Sequence, residues 1–157
     1  MCLHTRGIVA LAILAIFSSV PLCAAPAPAP QARTIAIQTG DNMKFSVTQI
    51  AAAPGERLRI VLAVTGTMSK SVMGHNLVIL RNGTNAAAFV NVSAMARNSG
   101  FVAPATANQI LAATALAGGG ETVEVTFDVP RTLGSYEFVC TFPGHYLAGM
   151  KGVLVVK

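Results

Sequence analysis

Arg57-Leu58-Arg59-Ile60-Val61-Leu62-Ala63-Val64 decides the fold. Leu58, Ile60, Leu62 and Val64 fall on one side of an extended chain, and Arg57, Arg59, Val61 and Ala63 on the other. A period of two is what a strand with one buried face requires. The alternation returns where Val123, Val125, Phe127 and Val129 interleave with Thr122, Glu124, Thr126 and Asp128. Shorter apolar runs at 34–38, 45–50, 76–80, 110–114, 135–140 and 152–156 complete a set of strands. Turn residues separate them: Thr39-Gly40-Asp41-Asn42, Pro54-Gly55, Asn82-Gly83, Gly118-Gly119-Gly120, Pro130 and Gly134. Residues 86–97 differ. They are alanine-rich, follow the capping residues Thr84 and Asn85, and repeat apolar side chains at Phe89, Val92 and Ala96, a helical spacing. Residues 98–108 read as loop. The expectation is an all-β, eight-stranded Greek-key β-sandwich with one inserted helical flap, forming a single domain over 34–157.

Outward from that domain the composition changes. Residues 1–25 hold Arg6, then the apolar run from Gly7 to Phe17, then small residues ending at Ala24 and Ala25. This is the layout of a secretory signal peptide, and the same stretch could also be kept as an N-terminal membrane anchor. Residues 26–33 form an Ala/Pro-rich linker whose prolines cannot join a hydrogen-bonded ladder. Net charge is +5, one less if Arg6 leaves with the first segment. The basic residues are scattered, so the chain carries no nucleic-acid stripe.

Cysteine and histidine carry the chemistry. Cys2 and Cys23 lie in or beside the export segment, with Cys23 open to lipid attachment, which leaves Cys140 alone in the body. In an oxidising compartment a lone thiol is a liability unless it is buried or holds a metal. Beyond His4 the histidines are His75, in Met73-Gly74-His75-Asn76, and His145, in Cys140-Thr141-Phe142-Pro143-Gly144-His145-Tyr146-Leu147-Ala148-Gly149-Met150. Cys140 shares its strand face with Tyr136 and Phe138, and Pro143-Gly144 turns the chain so that His145 and Met150 come back toward it. If the strand after His75 lies beside the last two, all four groups meet at one end of the sandwich. Two imidazoles and a thiolate hold copper in either oxidation state, and a weak axial thioether helps to set the potential. Zinc fits less well, because structural zinc sites favour more thiolates or harder ligands.

At these residues the chain resembles the cupredoxins of the azurin and auracyanin kind. The resemblance rests on MGHN at 73–76 and CTFPGH at 140–145, and extends through Asn42-Met43-Lys44-Phe45, Val125-Thr126-Phe127-Asp128-Val129 and Met150-Lys151-Gly152. It implies one type 1 (blue) copper ion, with His75, Cys140 and His145 as strong ligands and Met150 as the axial one. It also implies a Gly74 carbonyl as second axial contact, Asn76 steadying the ligand loops and hydrogen-bonding near the Cys140 sulfur, and a Phe142 amide donating to that sulfur. The chain departs from azurin in three ways. The loop between His145 and Met150 is one residue longer, as in auracyanin; Leu77 follows Asn76 and tryptophan is absent; and azurin's disulfide has no counterpart in the body.

The resemblance further implies a periplasmic or otherwise extracytoplasmic one-electron carrier, with the N-terminus open to serving as a membrane tether. It would exchange electrons through His145 with redox proteins such as c-type cytochromes or respiratory and photosynthetic complexes. Docking would be transient, on a patch of Met43, Met73, Pro143, Leu147 and Ala148. A copper enzyme would need a second, open site with more histidines than the body holds. A copper carrier without electron transfer is the alternative.

Overall fold

A computed structural model describes residues 31–157. The expected export segment at 1–25, with Cys2, His4 and Cys23, lies outside the described residues, as does most of the linker. The strands are β1 (Arg33–Thr39), β2 (Gln49–Ala52), β3 (Arg57–Val64), β4 (Val78–Leu80), β5 (Ile110–Ala113), β6 (Thr122–Asp128), β7 (Gly134–Val139) and β8 (Lys151–Val156). Two helices, α1 (Lys70–Met73) and α2 (Ala86–Ser93), and 3-10 turns at Arg97–Ser99 and Pro104–Gln109 fill the connections.

The strands form two sheets. One is ordered β1-β3-β6 and the other β2-β8-β7-β4-β5. β1 runs parallel to β3 and β2 parallel to β8, while the remaining pairs are antiparallel. The alternation read from Arg57–Val64 is observed: Leu58, Ile60 and Leu62 are fully buried. They face Ile50, Ile79, Phe138 and Leu154 of the other sheet in one core. On the outer face of the smaller sheet, Arg57 pairs with Asp128 and Arg59 with Glu124 across β3 and β6. Such exposed pairs contribute at most about 1 kcal/mol each.

β4 reads Val78-Ile79-Leu80 without alternation, and all three are buried. The reason is α2. Its Ala86, Phe89 and Val90 pack on Val78, Leu80 and Val139 across the outer face of the larger sheet. The helix starts where its cap was expected, with Asn85 Oδ1 accepting from Ala88 N at 3.0 Å. It ends at Ser93, short of Arg97, because Met95 N already turns back to Val92 O and the chain swings over at Gly100 and Phe101, both with positive φ. Val92, expected on the apolar stripe, is 49 % exposed. Among the described residues no helix is long and apolar enough to cross a membrane.

The run at 45–50 is a strand only from Gln49. Before that the chain crosses between sheets, tied by Ser46 N to Gln38 O at 2.9 Å, and Phe45 enters the core 5.6 Å from Phe138. Crowding here explains Gly152: an added Cβ would meet the Phe138 ring and lie 2.5 Å from Thr48 O. Overpacking of this kind costs about 1–3 kcal/mol. Gly152→Ala is therefore expected to lower the denaturant midpoint by a corresponding amount, and an unchanged midpoint would contradict the packing.

Gly118-Gly119-Gly120 does more than turn. A Cβ on Gly118 would sit 2.5 Å from Lys70 N, and one on Gly119 would strike Gly66 O. The loop thus packs backbone to backbone against the α1 segment, which leads directly into His75.

Candidate metal centre

His75 and Cys140 reach the same pole from neighbouring strands. β4 lies beside β7, with Val78 opposite Val139, so the residues just before β4 and just after β7 are brought together. His75 is pinned by a two-bond bridge to Ala117, N to O at 2.8 Å in each direction. Cys140 follows β7, and its N–H donates to Met150 O at 3.1 Å, which closes the loop 140–150 on itself. Within that loop His145 N donates to Phe142 O at 3.1 Å and Met150 N to His145 O at 2.9 Å. Gly144 and Gly149 take positive φ of +84° and +88°, the bends that let so short a loop return two side chains to one point.

The donor atoms of His75, Cys140 and His145 lie within 4.8 Å of one another, and all three residues are buried. Cys140 Sγ is 3.4 Å from His145 Nδ1. The two imidazole rings stand 4.8 Å apart between centroids. Met150 is fully buried in the same cluster as Cys140. Three donors bound to one ion at about 2.0–2.3 Å would be separated by roughly 3.5–4 Å, so the observed spread needs only small side-chain rotation.

A bound metal would also satisfy one of two buried ring nitrogens that lack a partner. Both ring nitrogens of His75 are buried without a partner. An unpaired buried polar atom costs about 1–3 kcal/mol, and native proteins rarely leave one without a reason. A soft-to-intermediate ion held by nitrogen and sulfur suits these donors, and the set of one Cys, two His and a nearby Met fits copper.

Electrostatics point the same way. Burial, and then the neighbouring His75, hold His145 down at about 4, and burial lowers His75 as well. Both rings are neutral at pH 7, the form that donates to a metal. Burial pushes the Cys140 thiol up to about 11, against the pull of the Asn76 and Phe142 backbone N–H groups that face it. Without metal the thiol keeps its proton. Loading the copper-free protein at pH 7 should therefore release about one proton per ion. A pH-stat titration reads this directly, and no release would exclude thiolate ligation.

Asn76 ties the two ligand segments together. Its Oδ1 accepts from Thr141 N at 2.9 Å and from Thr141 Oγ1 at 3.1 Å; its Nδ2 lies 2.8 Å from Thr141 Oγ1 and donates to Gly100 O at 3.2 Å. Thr141 and Gly100 were absent from the sequence expectation, since a threonine after a cysteine and a glycine in a loop carry no local signal. Gly74 is buried, and a Cβ there would sit 2.6 Å from Lys70 O and 3.0 Å from the Phe142 ring, so only glycine fits.

The remaining expected positions are dispersed in exposure. Leu147 is 88 % exposed, Pro143 is exposed, and Met43, Met73 and Ala148 are half-buried. His145 keeps only 2 % of its surface open. Lys44 donates through Nζ to Ala148 O, which fastens the Met43 segment to the ligand loop.

The profile of copper binding proteins of the plastocyanin/azurin family matches residues 32–157. Auracyanin-B of Chloroflexus aurantiacus is 35 % identical over 127 residues, which cover 80 % of this chain and 52 % of that protein. The chain thus spans about half the length of that relative. Azurin of Alcaligenes faecalis is 33 % identical over 123 residues, covering 76 % of this chain and 94 % of azurin. The solved structure of auracyanin A, a blue copper protein of Chloroflexus aurantiacus, superposes with a TM-score of 0.71 at 31 % identity, covering 81 % of this chain and all of that one. Sandwich, donor cluster and relatives agree: the chain belongs to the plastocyanin/azurin family of copper-binding proteins, the cupredoxins, and its copper is of type 1.

Proposed function

We propose that this protein is an extracytoplasmic one-electron carrier whose copper would be held by His75, Cys140 and His145, together with Met150 and the Gly74 carbonyl. The observation that carries the reading is closure: His75, Cys140 and Met150 are fully buried and His145 is 2 % exposed, which leaves no room for a substrate. When bound, copper supplies a Cu(I)/Cu(II) couple. The chain's own contribution is rigidity. The Ala117 bridge fixes His75, the Asn76–Thr141 bonds fix Cys140, and the backbone bonds of 142–150 fix His145. A site that keeps its shape in both oxidation states and excludes water has little to rearrange as an electron moves.

Partners are redox proteins such as c-type cytochromes or respiratory and photosynthetic complexes, docked briefly at the pole formed by Met43, Met73, Pro143, Leu147 and Ala148. Exposed Leu147, with Val72 at 63 % and Met68 at 43 %, gives that pole the apolar surface that transient redox contacts use. Residues 1–25 act as the export signal or anchor and 26–33 as the spacer, with Cys23 as one tethering point. The two body histidines are both assigned to a single closed site, which supports a carrier rather than an enzyme.

Leu147→Lys and Met73→Lys are expected to slow electron exchange with a cytochrome partner roughly tenfold or more, while the visible spectrum and potential stay as in the parent. Stopped-flow mixing checks this, and unchanged rates would move the docking surface elsewhere. The alternative, a copper deliverer without redox work, predicts loss of metal to a competing chelator within minutes and no reversible couple in voltammetry.

A further inference from the structure

The segment that leaves α2 comes up beside the copper site, and electron carriage as described above uses none of it. Gly100 and Phe101 are consecutive residues with positive φ, +62° and +60°. Glycine takes that conformation freely. A bulky residue does so rarely, because its Cβ crowds the backbone, and keeps it only where the surroundings over-determine it. Here the turn is closed by Gly100 N to Arg97 O at 3.1 Å, Phe101 N to Ala96 O at 3.0 Å and Val102 N to Ser99 O at 3.2 Å.

Both residues then reach the site. The Phe101 ring, 7 % exposed, meets Phe142 edge-on with centroids 4.9 Å apart and planes at 66°. Phe142 in turn lies 4.8 Å from the His145 ring, and His145 4.8 Å from His75, so one aromatic column runs from the flap to the metal donors. Next to it, the Gly100 carbonyl accepts from Asn76 Nδ2 at 3.2 Å. Asn76 and Phe142 are the two residues whose backbone N–H groups face the Cys140 sulfur. Each is therefore held by one member of the left-handed pair, the first through a carbonyl and the second through a ring.

We propose that Phe101 is a positioning residue for the copper centre: seated in a left-handed turn, its ring pins Phe142 while Gly100 holds Asn76, and together they keep both amide donors on the Cys140 sulfur. The inference rests on the copper reading of the site. Amide donors draw electron density from a thiolate and so favour Cu(I). Slackening them lowers the potential.

The test compares Phe101→Ala, Phe101→Leu and Phe101→Tyr with Phe89→Leu, a control in the cluster between α2 and the larger sheet, where Phe89 is 1 % exposed. Two quantities are read: the reduction potential of the copper-loaded protein, and hydrogen exchange of the Phe142 and Asn76 amides in the copper-free protein, relative to the amides of β7. Phe101→Ala and Phe101→Leu should lower the potential and speed exchange of the Phe142 amide at least tenfold over β7. Phe101→Tyr should retain both parental values, and Phe89→Leu should lose thermal stability with neither quantity moved. Loss of stability in Phe101→Leu with potential and relative exchange unchanged would reduce Phe101 to a packing residue and overturn the proposal. If Phe101→Ala does not fold, Phe101→Leu carries the comparison. A parent protein that gives no blue copper spectrum would sink the copper reading instead, and amide exchange in the copper-free protein would still decide the clamp.

Discussion

Cys140→Ser is expected to abolish the intense visible absorption that Cu(II) should produce on binding the parent protein. The band of a type 1 centre needs a thiolate bonded to copper, and Cys140 is the one cysteine among the described residues. A serine hydroxyl does not ionise near neutral pH and is a harder donor, so transitions of that kind leave the visible range. The loss should be complete rather than partial, because His75, His145 and Met150 offer no second sulfur anion. The fold should survive. Serine is nearly the size of cysteine, and its oxygen meets the Asn76 and Phe142 N–H groups already aimed at the sulfur, which offsets part of the ~1–3 kcal/mol cost of burying a hydroxyl. Visible absorption and circular dichroism of the same sample separate the outcomes. A variant that stays folded and blue would refute the assignment.

The second large effect is expected on stability. Asn76→Leu keeps the volume but strips the side-chain bonds that tie Asn76 to Thr141 and Gly100. Thr141 N–H, the Thr141 hydroxyl and the Gly100 carbonyl would lose the partner they now share, and Asn76 and Thr141 are both fully buried. Each group left unsatisfied costs about 1–3 kcal/mol, and relaxation recovers part of the sum, so a loss of ~3–5 kcal/mol is expected. That is a large share of the ~5–15 kcal/mol that holds a typical domain folded. Equilibrium denaturation of the copper-free protein measures it without a contribution from metal binding. A loss under about 1 kcal/mol would show that water or a rotated Thr141 replaces the amide. In the copper-loaded protein the same variant should also shift the visible band, since the residue that orients the Cys140 loop is gone.

What was legible and what was not divides along the range of the interactions involved. Leu58, Ile60 and Leu62 announced their burial because a strand places every second side chain on one face, a relation within a few residues. The helical stripe was half right for the same reason. Phe89 is buried as its spacing suggests, but α2 stops at Ser93 and Val92 faces solvent, since the helix end is set by the turn at Gly100 and Phe101 and by how α2 lies on Val78 and Val139. The run Val78-Ile79-Leu80 could not disclose that it is covered twice, once by the opposite sheet and once by α2.

The sequence by itself determined the chemistry. A thiol, two imidazoles and a thioether are properties of residue types, and the spacing from Cys140 to Met150 leaves one short loop to return three of them to a single place. It also determined the sandwich, since alternation and turn residues act locally. Only the tertiary structure decided how His75 finds that loop, through β4 lying beside β7, and how Asn76, Thr141, Gly100 and Phe101 lock the sulfur in place. Those contacts join positions far apart along the chain, with strength that depends on distance and orientation in space. No pattern of neighbouring residues encodes either.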